Sequence, residues 1–445
     1  MAKVMEDQQI GQTVARKFLQ HVMPLLGVLY LISYIDRQNI GFAKLQMATD
    51  LSLSETAFGL GAGLFFIGYF LFEVPSNLFL ARLGARVWFA RIMLSWGAVT
   101  IALGFTHGTT MFYALRFLLG ACEAGFFPGV IYLMTLWMPD LYRGRMISWF
   151  VIASAVANAV GGPICGRMLD LDGLLGLHGW QWVFIATGLP ALLLGVVTLF
   201  ALPDGPQDAR FYTPAEKAWI RDTIAFEEAS NQKVAHSRPL AVLADSRVIL
   251  LGCTYIGFPL ANYGLSYWLP TVVKGFGVSN TANGLLAIIP GIVTILAVWW
   301  VPRHAALTGE RTWHIVIPAG LGAVCLALCV MVPSNALRFA LLCIAAACTL
   351  APQPVFWTLP TRFLRGASAA AGLAAINSVG HLGGFVAQTA VPAIRDITGS
   401  TLAPMFFLAA CLAAAAAMVL VAQSVLNQKS VPQTMTPPAL IDLDG

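Results

Sequence analysis

Four ionisable side chains stand inside stretches that are otherwise apolar: Asp36 and Arg37 in "YIDRQNIGFA", and Arg116 and Glu123 in "RFLLGACEAGFFPG". An arginine presents a planar fork of N–H donors that matches a carboxylate. A carboxylate whose cation can be taken away by a competing anion changes its hold on a proton. The four residues therefore point to recognition of an organic anion coupled to proton exchange. Arg116 and Glu123 are seven residues apart, close to two helical turns, so they share a face roughly 10 Å apart along the axis. That is too far for a direct pair, and each is expected to find its partner on the segment of Asp36 and Arg37. Charge at the centre of a bilayer costs about 2.5–3.5 kcal/mol on insertion scales, which makes such residues functional candidates. A permanent ion pair that only sets helix register is the plainer alternative.

Other groups fall on the same apolar stretches. Tyr34 and Tyr69 lie in the first half, and Gln353 and Trp357 in "PQPVFWTLP" lie in the second. Asn377 and His381 in "AINSVGHLGG" are four apart and share a helical face. Any one of these reads equally as packing; their combination with buried arginines suggests contacts to a ligand. Glu73, in "LFEVPSN", leaves a structural and a functional role open.

The elements that carry these residues follow from composition. The chain has 445 residues, 58% hydrophobic and 11% charged, against about 25% charged for a soluble domain. It reads as an all-α polytopic membrane protein. About 20 apolar residues cross the hydrocarbon core, and such windows fall near 18–40, 57–81, 87–106, 109–137, 146–170 and 181–202, then near 248–273, 281–302, 313–332, 336–358, 367–392 and 401–424. The expected organisation is a polar segment 1–17, a six-helix bundle 18–202, a linker 203–247, a second six-helix bundle 248–424 and a tail 425–445. Within the linker, "TPAEKAWIRDTIAFEEA" offers Thr213 as N-cap, Pro214 at the first helical position and Glu216 as the capping-box acid, so an amphipathic surface helix is expected.

Lys3, Arg16, Lys17, Arg82, Arg86, Arg143, Arg145, Arg303, Arg311, Arg362 and Arg365 collect at one set of span ends, against Lys44, Lys274 and Arg395 at the other. The bias predicts that both termini are cytoplasmic. Basic residues spread over short loops make no nucleic-acid patch, and the eight cysteines, all in apolar stretches, read as small hydrophobes. There is no Walker-type phosphate loop, no cofactor motif and no evident cluster of nucleophile or metal ligands. "MPDLYRGRMISW" and "LPTRFLRGASAA" echo each other at Arg143-Gly144 and Arg365-Gly366, as expected of two repeated halves with a site between them. That suggests a secondary transporter; composition alone also allows a channel or a membrane-embedded enzyme.

"YIDRQNIGFA", "GYFLFEVPSNLFLARLGARVWFARIMLSWG", "RFLLGACEAGFFPGVIYLMTLWMP", "GWQWVFIATGLPA" and "AAINSVGHLGGFV" together resemble the anion:cation symporter family of the major facilitator superfamily. Its members include bacterial permeases for galactonate, glucarate, tartrate, phthalate and 4-hydroxyphenylacetate. The resemblance implies the major facilitator fold, alternating access and uptake of a carboxylate with protons across a bacterial inner membrane. It implies Asp36 and Glu123 as proton sites and Tyr34, Arg37, Tyr69, Trp357 and Asn377 at the substrate; Arg116, Asn158, Gln353 and His381 complete the candidate set. This chain departs from the family at Ala81, Thr187 and His381, where relatives often carry an acid, a glutamate and an asparagine, and it offers Ser154 and Asn158 where sugar-acid carriers tend to have a glutamine. The departures lean toward an aromatic or small dicarboxylic acid, with a sugar acid, or an exporter on the same fold, as alternatives. The expected protein is a monomer that needs no cofactor beyond the coupling proton.

Overall fold

The computed structural model describes residues 2–232, 244–360, 364 and 366–428. Arg362, Arg365, the linker stretch 233–243 and the tail 429–445 lie outside the described residues, as do the side chains of Arg145 and Asn158. Among the described residues every regular element is a helix.

The first helix, α1 (Ala2–His21), occupies what the sequence suggests is a polar lead-in, and bends by 45° into α2 (Met23–Asp50). Then follow α3 (Glu55–Leu83), α4 (Ala85–Leu103), α5 (Gly108–Glu123), α6 (Phe126–Trp137), α7 (Asp140–Leu169) and α8 (Gly179–Ala201). Beyond the linker helix α9 (Pro214–Gln232) come α10 (Ser246–Lys274), α11 (Asn280–Leu286), α12 (Ile288–Thr308), α13 (Trp313–Met331), α14 (Asn335–Leu350), α15 (Gln353–Phe356), α16 (Gly366–Thr398) and α17 (Ala403–Gln428). The pairs α5–α6, α11–α12 and α14–α15 each make one crossing, which leaves six crossings on either side of α9. Nine crossings among the described residues pass on length and apolarity alone. The other three are α2, α7 and α16, which reach 28, 30 and 33 residues, ample for a bilayer. These three carry polar groups because they line the seam between the halves.

Leu71, Val74, Leu78, Phe200, Leu296, Trp299 and Ile317 are exposed on the outside of the bundles, as helices facing lipid require. Helices α2 to α8 pack among themselves and α10 to α17 do likewise, while α3 meets α16, α7 meets α11 and α12, and α2 meets α10 across the seam. The linker helix begins with the capping box read from the sequence: Glu216 Oε2 accepts from the Thr213 N–H at 2.7 Å and Thr213 Oγ1 accepts from the Glu216 N–H at 3.3 Å. Lys17 Nζ of α1 donates to both oxygens of Glu216 at 2.8 Å, which ties α9 to the first bundle. Burial raises the pKa of the Glu216 carboxyl, but the hydrogen bonds from Lys17 and Thr213 outweigh it and hold the group below its ordinary value. At the α3–α4 turn, Arg86 pairs with Asp204 of the linker at 2.5 Å.

The end of the molecule away from the chain termini is sealed across the seam. Glu55 of α3 pairs with Arg395 of α16 and also with Lys44 of α2, the latter at 2.5 Å. Lys44 in turn lies 3.6 Å from the ring centre of Trp268 of α10. Asp396 accepts from the Thr56 N–H at 3.0 Å, and Asp170 of α7 accepts from the N–H of Thr281 of α11 at 3.1 Å. Small residues allow the backbones this close: a Cβ on Gly284 would fall 2.3 Å from the carbonyl oxygen of Gly162. Gly284→Val is therefore expected to hold this end apart. In a background without the eight native cysteines, a probe at Ser266→Cys should react with a membrane-impermeant thiol reagent at least about tenfold faster, the shift that ~1.4 kcal/mol produces.

Candidate functional site

The apolar stretch 109–137, expected as one continuous helix, is broken. Ala124 leaves the helical region (φ −55°, ψ 136°) and Gly125 turns left-handed (φ 86°), so α5 ends on Glu123. Only glycine fits the turn, because its φ is positive and a Cβ there would lie 2.4 Å from Ser76 Oγ. The break sets the Glu123 carboxylate at a helix C-terminus, where the backbone dipole is unfavourable to an anion, and the residue is fully buried. Arg37 answers both costs. Its Nε donates to Glu123 Oε1 at 2.7 Å and its Nη2 reaches the same oxygen at 2.6 Å, while Ser33 Oγ adds a third bond at 3.0 Å.

Arg37 also looks across the seam. Its Nη1 donates to the hydroxyl of Tyr263 on α10 at 3.1 Å. The rings of Tyr69, Tyr34 and Phe65 surround the guanidinium at 5.3, 5.5 and 5.9 Å, within cation–π range. His381 of α16 closes the aromatic wall, 5.3 Å from Tyr69 and 6.2 Å from Tyr263 between ring centres.

Asp36, the neighbour of Arg37 in sequence, points the other way, into the first bundle. Its Oδ2 accepts from Trp96 Nε1 at 2.8 Å and Thr100 Oγ1 at 3.2 Å, and its Oδ1 accepts from Asn39 Nδ2 at 2.8 Å. Asn39 also donates to Thr187 Oγ1 at 2.9 Å, so Thr187 supports this shell. With the carboxylate so occupied, Arg116 does not bond to the first span as expected. Its Nη2 donates instead to the Ala62 carbonyl of α3 at 3.0 Å, and its guanidinium lies 5.1 Å from the Phe65 ring.

The remaining candidates gather in two other places. Gln353 accepts from the Tyr255 hydroxyl at 3.1 Å, and the Trp357 ring meets the edge of Tyr255 at 4.8 Å; these belong to a second-half cluster beside the Arg37 wall. Asn377 and Ser378 of α16 both donate to Glu73 of α3, at 3.4 and 2.8 Å, which makes Glu73 a bridge across the seam nearer the chain termini. Asn158 lies on α7, its side chain outside the described residues. Among the described residues no three His, Cys, Asp or Glu groups are placed to hold a metal ion. Sequence reasoning missed Ser33, Trp96, Thr100 and Tyr263. Asn39, three residues after Asp36, was readable from helical spacing; Tyr263, 226 residues from Arg37, carried no local signal.

Residues 26–388 match the family model described as Major Facilitator Superfamily. A "Quinolone resistance transporter" of Acinetobacter baumannii is 44% identical over 90% of this chain and 92% of that protein. A "Putative tartrate transporter" of Agrobacterium vitis is 44% identical over 93% of this chain and 96% of that one. The crystal structure of a D-xylose-proton symporter superposes with a TM-score of 0.71 at 16% identity, covering 94% of this chain and 99% of that one.

Truncating Arg37 to alanine leaves the Glu123 charge buried and uncompensated, a change that costs about 3–5 kcal/mol in comparable buried pairs. The Arg37→Ala protein should unfold at a clearly lower temperature in detergent, and adding Glu123→Gln should restore most of the loss. A double variant no more stable than the single one would show that the pair does not govern this region.

Proposed function

Because the chain belongs to the Major Facilitator Superfamily, and is a multi-pass membrane transporter rather than an enzyme, we propose that it carries an organic carboxylate together with protons by alternating access. One observation carries the reading: a largely buried guanidinium, Arg37, bonded at once to a carboxylate of its own bundle and to a hydroxyl of the other. An incoming carboxylate engages the fork of Arg37 and competes with Glu123. The displaced Glu123 then takes a proton, and Asp36, in its pocket of neutral donors, is the second proton site. One proton with a monoanion moves no net charge; each further proton adds about 2.3 kcal/mol per 100 mV of membrane potential to the driving force.

The aromatic wall of Tyr34, Tyr69, Tyr263 and His381 favours an aromatic or small dicarboxylic acid over a heavily hydroxylated one, and a relative named as a tartrate transporter supports an organic acid in general. The Lys and Arg bias supports an inner-membrane orientation with the termini in the cytoplasm and the sealed end outside. The relative named as a quinolone resistance transporter favours a second reading, export on the same fold.

Proteoliposomes loaded at pH 7 and diluted to a lower external pH should accumulate the acid, and Glu123→Gln should keep exchange of labelled for unlabelled acid while losing accumulation driven by the pH gradient. Uptake indifferent to an imposed pH gradient would contradict symport. Extrusion against a gradient would favour the export reading.

A further inference from the structure

A second cluster of aromatic and titratable groups stands where α12 turns into α13, at the end of the molecule nearer the chain termini. Two tryptophans of α12 each have a basic partner one turn on. Arg303 lies over the Trp299 ring at 4.9 Å, and the His304 ring stacks on Trp300 at 5.1 Å with 20° between the planes. His304 Nδ1 and Nε2 of His314 on α13 are 2.6 Å apart, and His314 Nδ1 lies 3.1 Å from Glu310 Oε2. Glu310 also accepts from the Trp313 N–H at 2.9 Å. Burial raises the pKa of the Glu310 carboxyl, but the hydrogen bonds from Trp313 and His314 outweigh it and hold the group below its ordinary value.

The order of the protons follows. An ionised Glu310 takes the hydrogen of His314 Nδ1, which leaves His314 Nε2 an acceptor and makes His304 Nδ1 the donor to it. As an imidazolium, the exposed His304 can then donate from Nε2 to an anion outside the chain. The local charge suits an anion: Arg303 and Arg311 outnumber Glu310 even while both imidazoles are neutral.

The surroundings say which anion. Toward the middle of the span α12 exposes Ile289, Ile292 and Leu296 at helical spacing, and α13 exposes Ile317 and Leu321. Ile289 to Trp299 covers about 15 Å along the axis, half of a hydrocarbon core ~30 Å thick. That is the depth of one leaflet. Helices α12 and α13 pack mainly on α14 and little on each other, so both apolar columns stay open to the bilayer. Trp299, Trp300 and Trp313 are each more than half exposed, as amphipathic rings beside headgroups are. A free anion would leave the columns unused, and a zwitterionic headgroup would bring its own ammonium against Arg303.

We propose that this face of α12 and α13 is a binding site for an anionic phospholipid. Its phosphate rests on Arg303 and His304, and its acyl chains run along the two columns past Trp299 and Trp300. The site is separate from the carboxylate reading above and does not depend on it.

Calorimetric titration of the purified, delipidated full-length protein in an uncharged detergent tests this, with dioctanoyl phosphatidylglycerol, dioctanoyl phosphatidylcholine and inorganic phosphate as probes. Phosphatidylglycerol is expected to bind and to raise the melting temperature, and the other two to do neither at the same concentration. Arg303→Gln combined with His304→Gln, both at exposed positions, should weaken that binding at least about tenfold, the loss of two headgroup contacts. Arg16→Gln combined with Arg82→Gln removes exposed charge from the same end and should leave the affinity unchanged. An equal loss in that control would mark diffuse attraction and overturn the site. Phosphatidylcholine or phosphate binding as tightly, or no binding of phosphatidylglycerol, would overturn it too. Each of these results leaves carboxylate transport standing.

Discussion

A guanidinium and a carboxylate share a place where neither can stay charged alone. Removing an ion from water into a protein interior costs several kcal/mol, and only close pairing with full hydrogen bonding offsets it. Glu123 is set against itself twice, by burial and by its position at the C-terminus of α5, and Arg37 answers at Oε1, while Oε2 has no hydrogen-bond partner among the described residues. Because Arg37 stands on α2, Glu123 on α5 and Tyr263 on α10, one guanidinium ties two helices of the first bundle to the second. A ligand that takes this fork loosens a contact within one half and a contact between halves in the same event. That is the link between recognition and movement that an alternating-access carrier requires.

Consecutive residues on a helix point about 100° apart, and α2 uses the difference. Arg37 faces the seam, whereas Asp36 turns into a shell of Trp96, Thr100 and Asn39 from its own half. Both carboxylates of the site therefore stand on the first bundle, and the second offers it neutral groups, Tyr263 and His381. When the halves rock, Asp36 keeps its shell, because Trp96, Thr100 and Asn39 all stand on the first bundle. If Asp36 and Glu123 are the proton sites, as proposed, the asymmetry places both on the first bundle and leaves the second to shape the ligand.

What could be read from the sequence was what depends on local pattern. Twelve crossings, the capping box at Thr213 and Glu216, and the candidacy of Asp36, Arg37, Arg116 and Glu123 all follow from apolar run length, cap chemistry and charge in lipid. The pairing of Arg37 with Glu123 agrees with the expectation that Glu123 finds its partner on the segment of Asp36 and Arg37, although spacing places a side chain on a face without choosing its partner. The break at Ala124-Gly125 hid inside an unbroken apolar run, because the glycine there resembles the many that serve helix packing. Arg116 was assigned to the first span because charge alone was considered; the neutral donors that fill Asp36, from residues 60 and 64 positions away, were not visible. Tyr263 reaches the site only because the second half folds against the first.

The two ends of the seam are held by different chemistry. At the sealed end Glu55 meets two cations, Lys44 also lies over Trp268, and Asp396 and Asp170 each take a backbone N–H from the opposite half, with glycines that let the helices touch. Nearer the chain termini Glu73 has, among the described residues, Ser378 and Asn377 as hydrogen-bond partners, the second at 3.4 Å. Hydrogen bonds to a charged group contribute about 1.5–3 kcal/mol each when well formed, and one of these two is long. The weaker closure therefore lies at the Glu73 end, and a rocking motion that conserves both bundles opens there first. Opening the opposite end requires several charged contacts to part.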